Sequence, residues 1–266
     1  MNAQLQPAII QECTNHKTAN WRKADYRACI TLGTDYFIKF GDPKTMAPEV
    51  ATQMHIQAYA ASDTAGSAPR VAKVLFHFQE QLTMYVVMEY IELVSYADSG
   101  RKANALAWLS KVAPPHGHVL GAVGGRIRHS VFKAGKAPLD FTDLAALERY
   151  LEHGRNILSI NGRNTVASVN ITNDRVMFLQ SDLDKSNFGI DKDGKTVLMD
   201  FESIGLLPET LVLYTLSSDE IIGPFLTNTL GLSGTANLAS LNAIASCLWM
   251  SSNPKLGESI SCQEVV

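Results

Sequence analysis

Long apolar runs are missing from this 266-residue sequence, in which no window approaches the roughly 18 apolar residues of a membrane-spanning helix. Its N-terminus, MNAQLQPAIIQECTNHK, has no basic segment followed by an apolar core, and so lacks the form of a secretory signal. A cytoplasmic protein that does not enter the membrane is therefore expected. Cysteine is scarce. The four residues Cys13, Cys29, Cys247 and Cys262 are scattered, with no C-x-x-C pair and no histidine at zinc spacing, which points to reduced structural thiols. Charge is sparse as well: 18% of residues are charged, the net charge is −3, and no block of like charges forms a tail. That balance argues against nucleic acid as the main partner. No G-x-S-x-G marks a hydrolase serine, and GHVLGAVGGR is not followed by the G-K-[ST] of a P-loop. No fixed-period repeat is visible, which sets aside solenoids and propellers.

What is present is an ordinary globular composition, 46% hydrophobic, at a length that suits one large domain or two lobes. The first third reads as a small sheet with one helix. YRACITLG and DYFIKFG are short β-favouring runs broken by Gly33 and Asp35, as in a hairpin. Pro48 then opens a helix, APEVATQMHIQAYAAS, in which Val50, Met54 and Ala58 recur at helical spacing. APRVAKVLFHFQ and LTMYVVMEYI are two further strands, the second apolar enough to be buried on both faces.

From about residue 92 the pattern turns to helices and loops. NALAWLSKV reads as helix and PPHGHVLGAVGGRIRHS as an irregular connection. FTDLAALERYLEHGRNIL has Thr142 or Asp143 as N-cap and an inward stripe of Leu144, Leu147, Tyr150 and Leu151. DRVMFLQ, the loop SDLDKSN, and the hairpin NFGI-DKDGK-TVLMDFE follow, and the tail reads as helices. These features predict an α+β fold of two lobes: residues 1–88 as a small lobe of antiparallel sheet plus one helix, 89–91 as a hinge, and 92–266 as a mainly helical lobe carrying a β-hairpin.

SDLDKSN taken alone reads as a capped surface turn, because Asp, Ser and Asn favour turns. Joined to MDFE it reads differently. Phosphoryl transfer asks little covalent chemistry of a protein; it asks for a lysine on the phosphates, oxygen ligands for magnesium, and a carboxylate near the attacking hydroxyl. In kinases the catalytic loop supplies an aspartate and, five residues on, an asparagine, followed by a metal-binding aspartate on the next hairpin. Asp182 and Asn187 stand at that spacing, and Asp200 would fold back beside Asn187. Upstream, Lys39 sits in the apolar strand YFIKF, where a charge is costly unless it reaches water or a partner. It could equally be a snorkelling edge residue. Glu49, near the start of the next helix, is the candidate partner, although a first-turn glutamate also simply suits the helix dipole. DLDKSNFGIDKD is not an EF-hand, since Asn187 stands where glycine is needed and the flanks are strand-like. Arg126, Arg128, His129 and Lys133 form a basic cluster read as a solvated face, with an anion-binding role as the alternative.

YFIKF, APEV with the later APRV, YVVMEYIE, GGRIRH, SDLDKSN and LMDFESIGLLPE run in order over residues 30 to 215. In that combination the chain resembles the aminoglycoside-phosphotransferase-like branch of the protein-kinase-like fold, and most of all its uncharacterised fungal members. The resemblance implies ATP and Mg²⁺ as cofactors and a hydroxylated small molecule as acceptor. It also implies that Lys39 contacts the ATP phosphates, that Glu49 orients Lys39, and that the hinge Met88, Glu89, Tyr90 and Ile91 meets adenine. Asp182 would be the catalytic base, with Asn187 and Asp200 as metal ligands. Three departures accompany it. Gln180 replaces a packing histidine and Asp184 a second histidine or lysine, no G-x-G-x-x-G precedes Lys39, and no A-P-E segment follows Asp200. Gln180 and the missing glycine-rich loop suit a pseudokinase that binds nucleotide or protein without transfer; the retained Lys39, Asp182, Asn187 and Asp200 suit an enzyme. The tail after residue 215 carries only Asp219, Glu220, Glu258 and Glu264 as acids, too few for a polycationic acceptor.

Overall fold

Two short apolar runs meet at Gly33, whose φ of 62° is a left-handed conformation that glycine adopts without steric cost. They form an antiparallel pair, β1 (Cys29–Leu32) and β2 (Tyr36–Gly41), with Cys29 opposite Lys39. The computed structural model describes residues 2–158, 166–233, 235–245, 247–248 and 254–258; Cys262 and Glu264 lie outside them. Before the hairpin comes a helix, α1 (Asn2–Asn20), and after it α2 (Pro43–Ala61), β3 (Arg70–Val71), β4 (Val74–Glu80) and β5 (Thr83–Glu89). Four of these strands make one antiparallel sheet in the order β1-β2-β5-β4.

Alternation along a strand divides this sheet between two helices. Ile38, Phe40, Tyr85 and Val87 face one side and pack with Ile9 and Cys13 of α1; Met84, Val86 and Met88 face the other and pack with Met46 and Val50 of α2. Covering on both faces is why β5 is a continuous apolar run. The first 88 residues thus carry two helices, not the one expected. α1 escapes sequence reading because, among its described side chains, Ile9 and Cys13 are the only fully buried apolar ones.

The second helix also differs from expectation. It begins at Pro43, with the Asp42 side chain accepting from the Lys44 N–H, so Pro48 lies inside the helix and does not open it. Its buried residues are Met46, Glu49, Val50, Thr52, Gln53 and Ile56, whereas Met54 and Ala58 face solvent. The apolar pattern misled here because three buried positions, Glu49, Thr52 and Gln53, are polar.

Beyond β5, residues 90–92 run without regular structure into β6 (Leu93–Tyr96), α3 (Ser99–Leu109), the long loop, and α4 (Leu144–Ile157). Asp143, not Thr142, caps α4 by accepting from the Ala146 N–H at 2.6 Å. Then come β7 (Val176–Gln180), β8 (Phe188–Asp191), β9 (Thr196–Leu198), β10 (Ile204–Pro208), α5 (Glu209–Leu216), α6 (Ile222–Thr229) and α7 (Leu238–Ala245). β8 and β9 are the expected hairpin, but they belong to a sheet ordered β3-β9-β8-β6, in which β3 of the first third joins β9 in parallel. β10 pairs with β7. This α+β build sets α2 against the 201–203 turn that follows β9 and against β10.

The basic cluster is not an open patch. Arg126 bonds Asp140 and the Pro138 carbonyl, and Arg128 pairs with Glu202 at 2.5 Å. His129 is buried: its Nε2 lies 2.9 Å from both the Leu211 carbonyl and Thr215 Oγ1, while Nδ1 accepts from the Val131 N–H. Burial, against that carbonyl bond, pulls its pKa down from 6.5 to about 4. The unfolded chain therefore binds a proton that the folded chain refuses between those values, so stability falls as pH drops through this window. With each tenfold in that equilibrium worth about 1.4 kcal/mol, the loss is roughly 3 kcal/mol. Urea unfolding of wild type and His129→Gln from pH 7 to 4 should show the variant with a flatter profile; parallel profiles would remove His129 as the cause.

Candidate active site

Lys39 is made costly by its strand and then rescued by its neighbours. It lies on the face of β2 turned to α2, where Nζ donates to Glu49 Oε1 at 2.6 Å and to Asp200 Oδ1 at 2.9 Å. Glu49 is brought there by the stripe of α2, and Asp200 by the end of the β8–β9 hairpin. Burial opposes the charged amine, but the charges of Glu49 and then Asp200, with a hydrogen bond to each, outweigh it and hold Lys39 above its usual pKa. For Glu49 burial wins: its carboxyl is pushed up, against the pull of Lys39 and with Asp200 and Glu202 adding like charge. The two directions agree physically, since Lys39 gains from two carboxylates at once while buried Glu49 shares that one amine with Asp200.

Asp200 holds a left-handed backbone, φ 54° and ψ 80°, uncommon for a residue other than glycine. Such strain persists only where the surroundings enforce it and gathers at functional sites. Gln180 does part of the enforcing. Fully buried at the end of β7, its Nε2 donates to the Asp200 carbonyl at 2.7 Å, and its Oε1 accepts from the Asp182 N–H at 3.3 Å. One neutral amide therefore ties the SDLDKSN loop to the DFE segment. Within that loop Asn187 is buried and donates from Nδ2 to the Asp182 carbonyl, and Asp184 caps the turn by accepting from the Ser186 N–H. Hydrogen bonds from the Ser186 side chain, and then from its N–H, lower the Asp184 pKa.

A cavity of about 820 Å³ opens between the first sheet and the β8–β9 hairpin. Lys39, Glu49, the run Met88, Glu89, Tyr90 and Ile91, Asn187 and Asp200 all line it. Asp182 does not; it stands exposed on the loop beyond. Glu89 is tied down, accepting from the Lys73 N–H and pairing with Arg70, which also reaches Asp191 at 3.0 Å. Carboxylate oxygens of Glu49, Asp200 and Glu202 lie within 4.8 Å of one another. Hard oxygen donors on this scale fit Mg²⁺. The Asn187 bond uses its amide nitrogen and leaves the carbonyl oxygen out of that contact.

Three contributors were not read from the sequence. Glu202 stands two residues past Asp200 in the same MDFE motif, which was its signal. Lys102 of α3 is buried, donates to the Leu183 carbonyl and lies 3.4 Å from Asp219. Its signal was a charge on the stripe shared with Leu106 and Leu109. Tyr26 to Cys29 also line the cavity, and nothing in their local pattern announces it.

No protein-family model and no curated protein matches the chain. Among solved structures, it is similar to the aminoglycoside phosphotransferase APH(4)-Ia (13% identity, 83% of this chain and 78% of that one, TM-score 0.45). It is also similar to aminoglycoside 2'-phosphotransferase-IIIa in its GDP complex (13%, 90% and 87%, TM-score 0.48). A third is APH(2")-IIa with gentamicin (10%, 81% and 76%, TM-score 0.46).

Proposed function

We propose that this chain is a small-molecule kinase that transfers the γ-phosphoryl group of ATP to a hydroxyl of a small acceptor. The observation that carries it is the Lys39 amine held between Glu49 and Asp200 in a cavity also lined by residues 88–91 and Asn187. That set supplies what phosphoryl transfer requires: a cation on the phosphates, oxygen ligands for a metal, and an adjoining carboxylate. Residues 1–88 act as the nucleotide-covering lobe, 89–91 as the hinge that meets adenine, and 92–266 as the lobe carrying the catalytic loop. Magnesium, when bound, neutralises phosphate charge; Asp200 and Asn187, joined by Glu202, would hold it. Lys39 orients the α- and β-phosphates and Glu49 orients Lys39. Asp182, exposed beyond the cavity, faces the acceptor side and takes the proton of its hydroxyl as oxygen bonds to phosphorus and the bridge to ADP breaks.

Thermal unfolding with ATP, with Mg²⁺ and with both tests this. At a hundredfold excess over Kd a ligand adds about 2.7 kcal/mol, or roughly 5–10 °C for a chain of this size. A rise that needs both components is expected, followed by ADP release with one of a panel of sugars, polyols and amino alcohols. No rise in a folded sample would sink the nucleotide reading. A rise with no turnover across the panel would favour a binding module, the reading to which Gln180 and the missing glycine-rich loop lean.

A further inference from the structure

Kinases cover the phosphates with a glycine-rich hairpin just ahead of the lysine strand. Here the hairpin before Lys39 does not serve. Its turn, Gly33 to Asp35, is absent from the cavity lining, and the Asp35 carbonyl accepts from the Tyr90 N–H, which puts the turn at the hinge end. β1 is also the edge strand of the sheet, so among the described residues no further strand covers the end that holds Lys39 and Asp200. What lies there is the segment leading into β1: Tyr26, Arg27, Ala28 and Cys29 line the cavity.

We propose that Arg27 binds the phosphates, held over the cavity by the N-terminal helix in place of a glycine-rich loop; this rests on the cavity being a nucleotide site. Register supports the placement. Cys29 pairs with Lys39, and the Phe40 N–H donates to the Ala28 carbonyl, so the ladder continues and Arg27 falls level with Gly41. Residues two apart share a face. Arg27 and Cys29 therefore lie on the face that bears Lys39, and Gly41 opposite Arg27 bears no side chain, with the Met46 thioether packed beside it.

The segment is built, not loose. His16 of α1 donates from Nε2 to the Arg27 carbonyl at 2.9 Å, stacks on Tyr26 with ring centres 5.5 Å apart, and sets its edge to Phe40. The guanidinium itself is uncommitted: Arg27 is exposed, forms no ion pair among the described residues, and its one side-chain bond is to the adjacent Tyr26 carbonyl at 3.2 Å. Electrostatics calls for such a cation. Around Lys39 stand three carboxylates, Glu49, Asp200 and Glu202, answered by Lys39 and by Arg128, which pairs with Glu202, so one negative charge is left over for a triphosphate to meet. An arginine fork matches phosphate oxygens in pairs.

Isothermal titration of wild type, Arg27→Ala and Arg27→Glu with Mg²⁺·ATP and with adenosine decides it. Loss of a charged hydrogen bond should weaken ATP by roughly 10- to 100-fold in Arg27→Ala, and further in Arg27→Glu, with adenosine affinity and the ligand-free unfolding temperature unchanged. Unchanged ATP affinity, or a parallel loss for adenosine, overturns the assignment while leaving the kinase reading standing. Wild type that binds neither ligand overturns the kinase reading, and Arg27's role with it.

Discussion

Asp182→Asn should lower turnover by roughly 10²- to 10⁴-fold, the usual worth of a general base, and leave Mg²⁺·ATP affinity unchanged. The substitution isolates the base because the loop does not depend on the charge. Asp182 Oδ1 accepts from the Asp184 N–H at 3.1 Å, a bond that an asparagine oxygen keeps. The backbone of residue 182 is held independently, its N–H by Gln180 and its carbonyl by Asn187. Asp182 is also outside the cavity lining, so nucleotide has no cause to sense the change. ADP release with the best acceptor, set beside ATP titration, is the measurement. Wild-type turnover in the variant would strip Asp182 of its role, and a matching loss of ATP affinity would mean that the loop had collapsed.

The second large effect is expected at Asp200. Asp200→Asn should abolish the Mg²⁺-dependent part of the ATP-induced rise in unfolding temperature, leaving only what ATP achieves alone. Asparagine is the informative choice, because it tolerates the left-handed backbone at φ 54° and keeps an oxygen for the 2.9 Å bond from Lys39. Alanine would confound lost charge with backbone strain. What asparagine removes is the charge that, with Glu49 and Glu202, makes the three-oxygen cluster attractive to a divalent cation. A full Mg²⁺-dependent rise in Asp200→Asn would shift the metal site to Glu49 and Glu202. Without the Asp200 charge, Lys39 also loses one of the two carboxylates that hold its pKa above the usual value.

Much of this arrangement was legible because it is local. A lysine in YFIKF, a hairpin at Gly33 and an aspartate capping α4 each follow from side-chain period, glycine's backbone freedom or a single capping bond, all set within a few residues. So too was the five-residue spacing of Asp182 and Asn187, since one short loop holds both. The sequence could not reveal which face of α2 turns inward, because polar Glu49 and Gln53 take core positions to serve the cavity. Nor could it reveal that His129, read as part of a basic surface, is buried against α5. Three-body meetings were decided by tertiary structure alone. Lys39, Glu49 and Asp200 come from a strand, a helix and a hairpin up to 161 residues apart, and only the docking of sheet upon hairpin brings their atoms within 3 Å. The segment around Arg27 reaches the same cavity only because α1 packs on the far face of the sheet, a contact made by few apolar residues and therefore without a sequence signal.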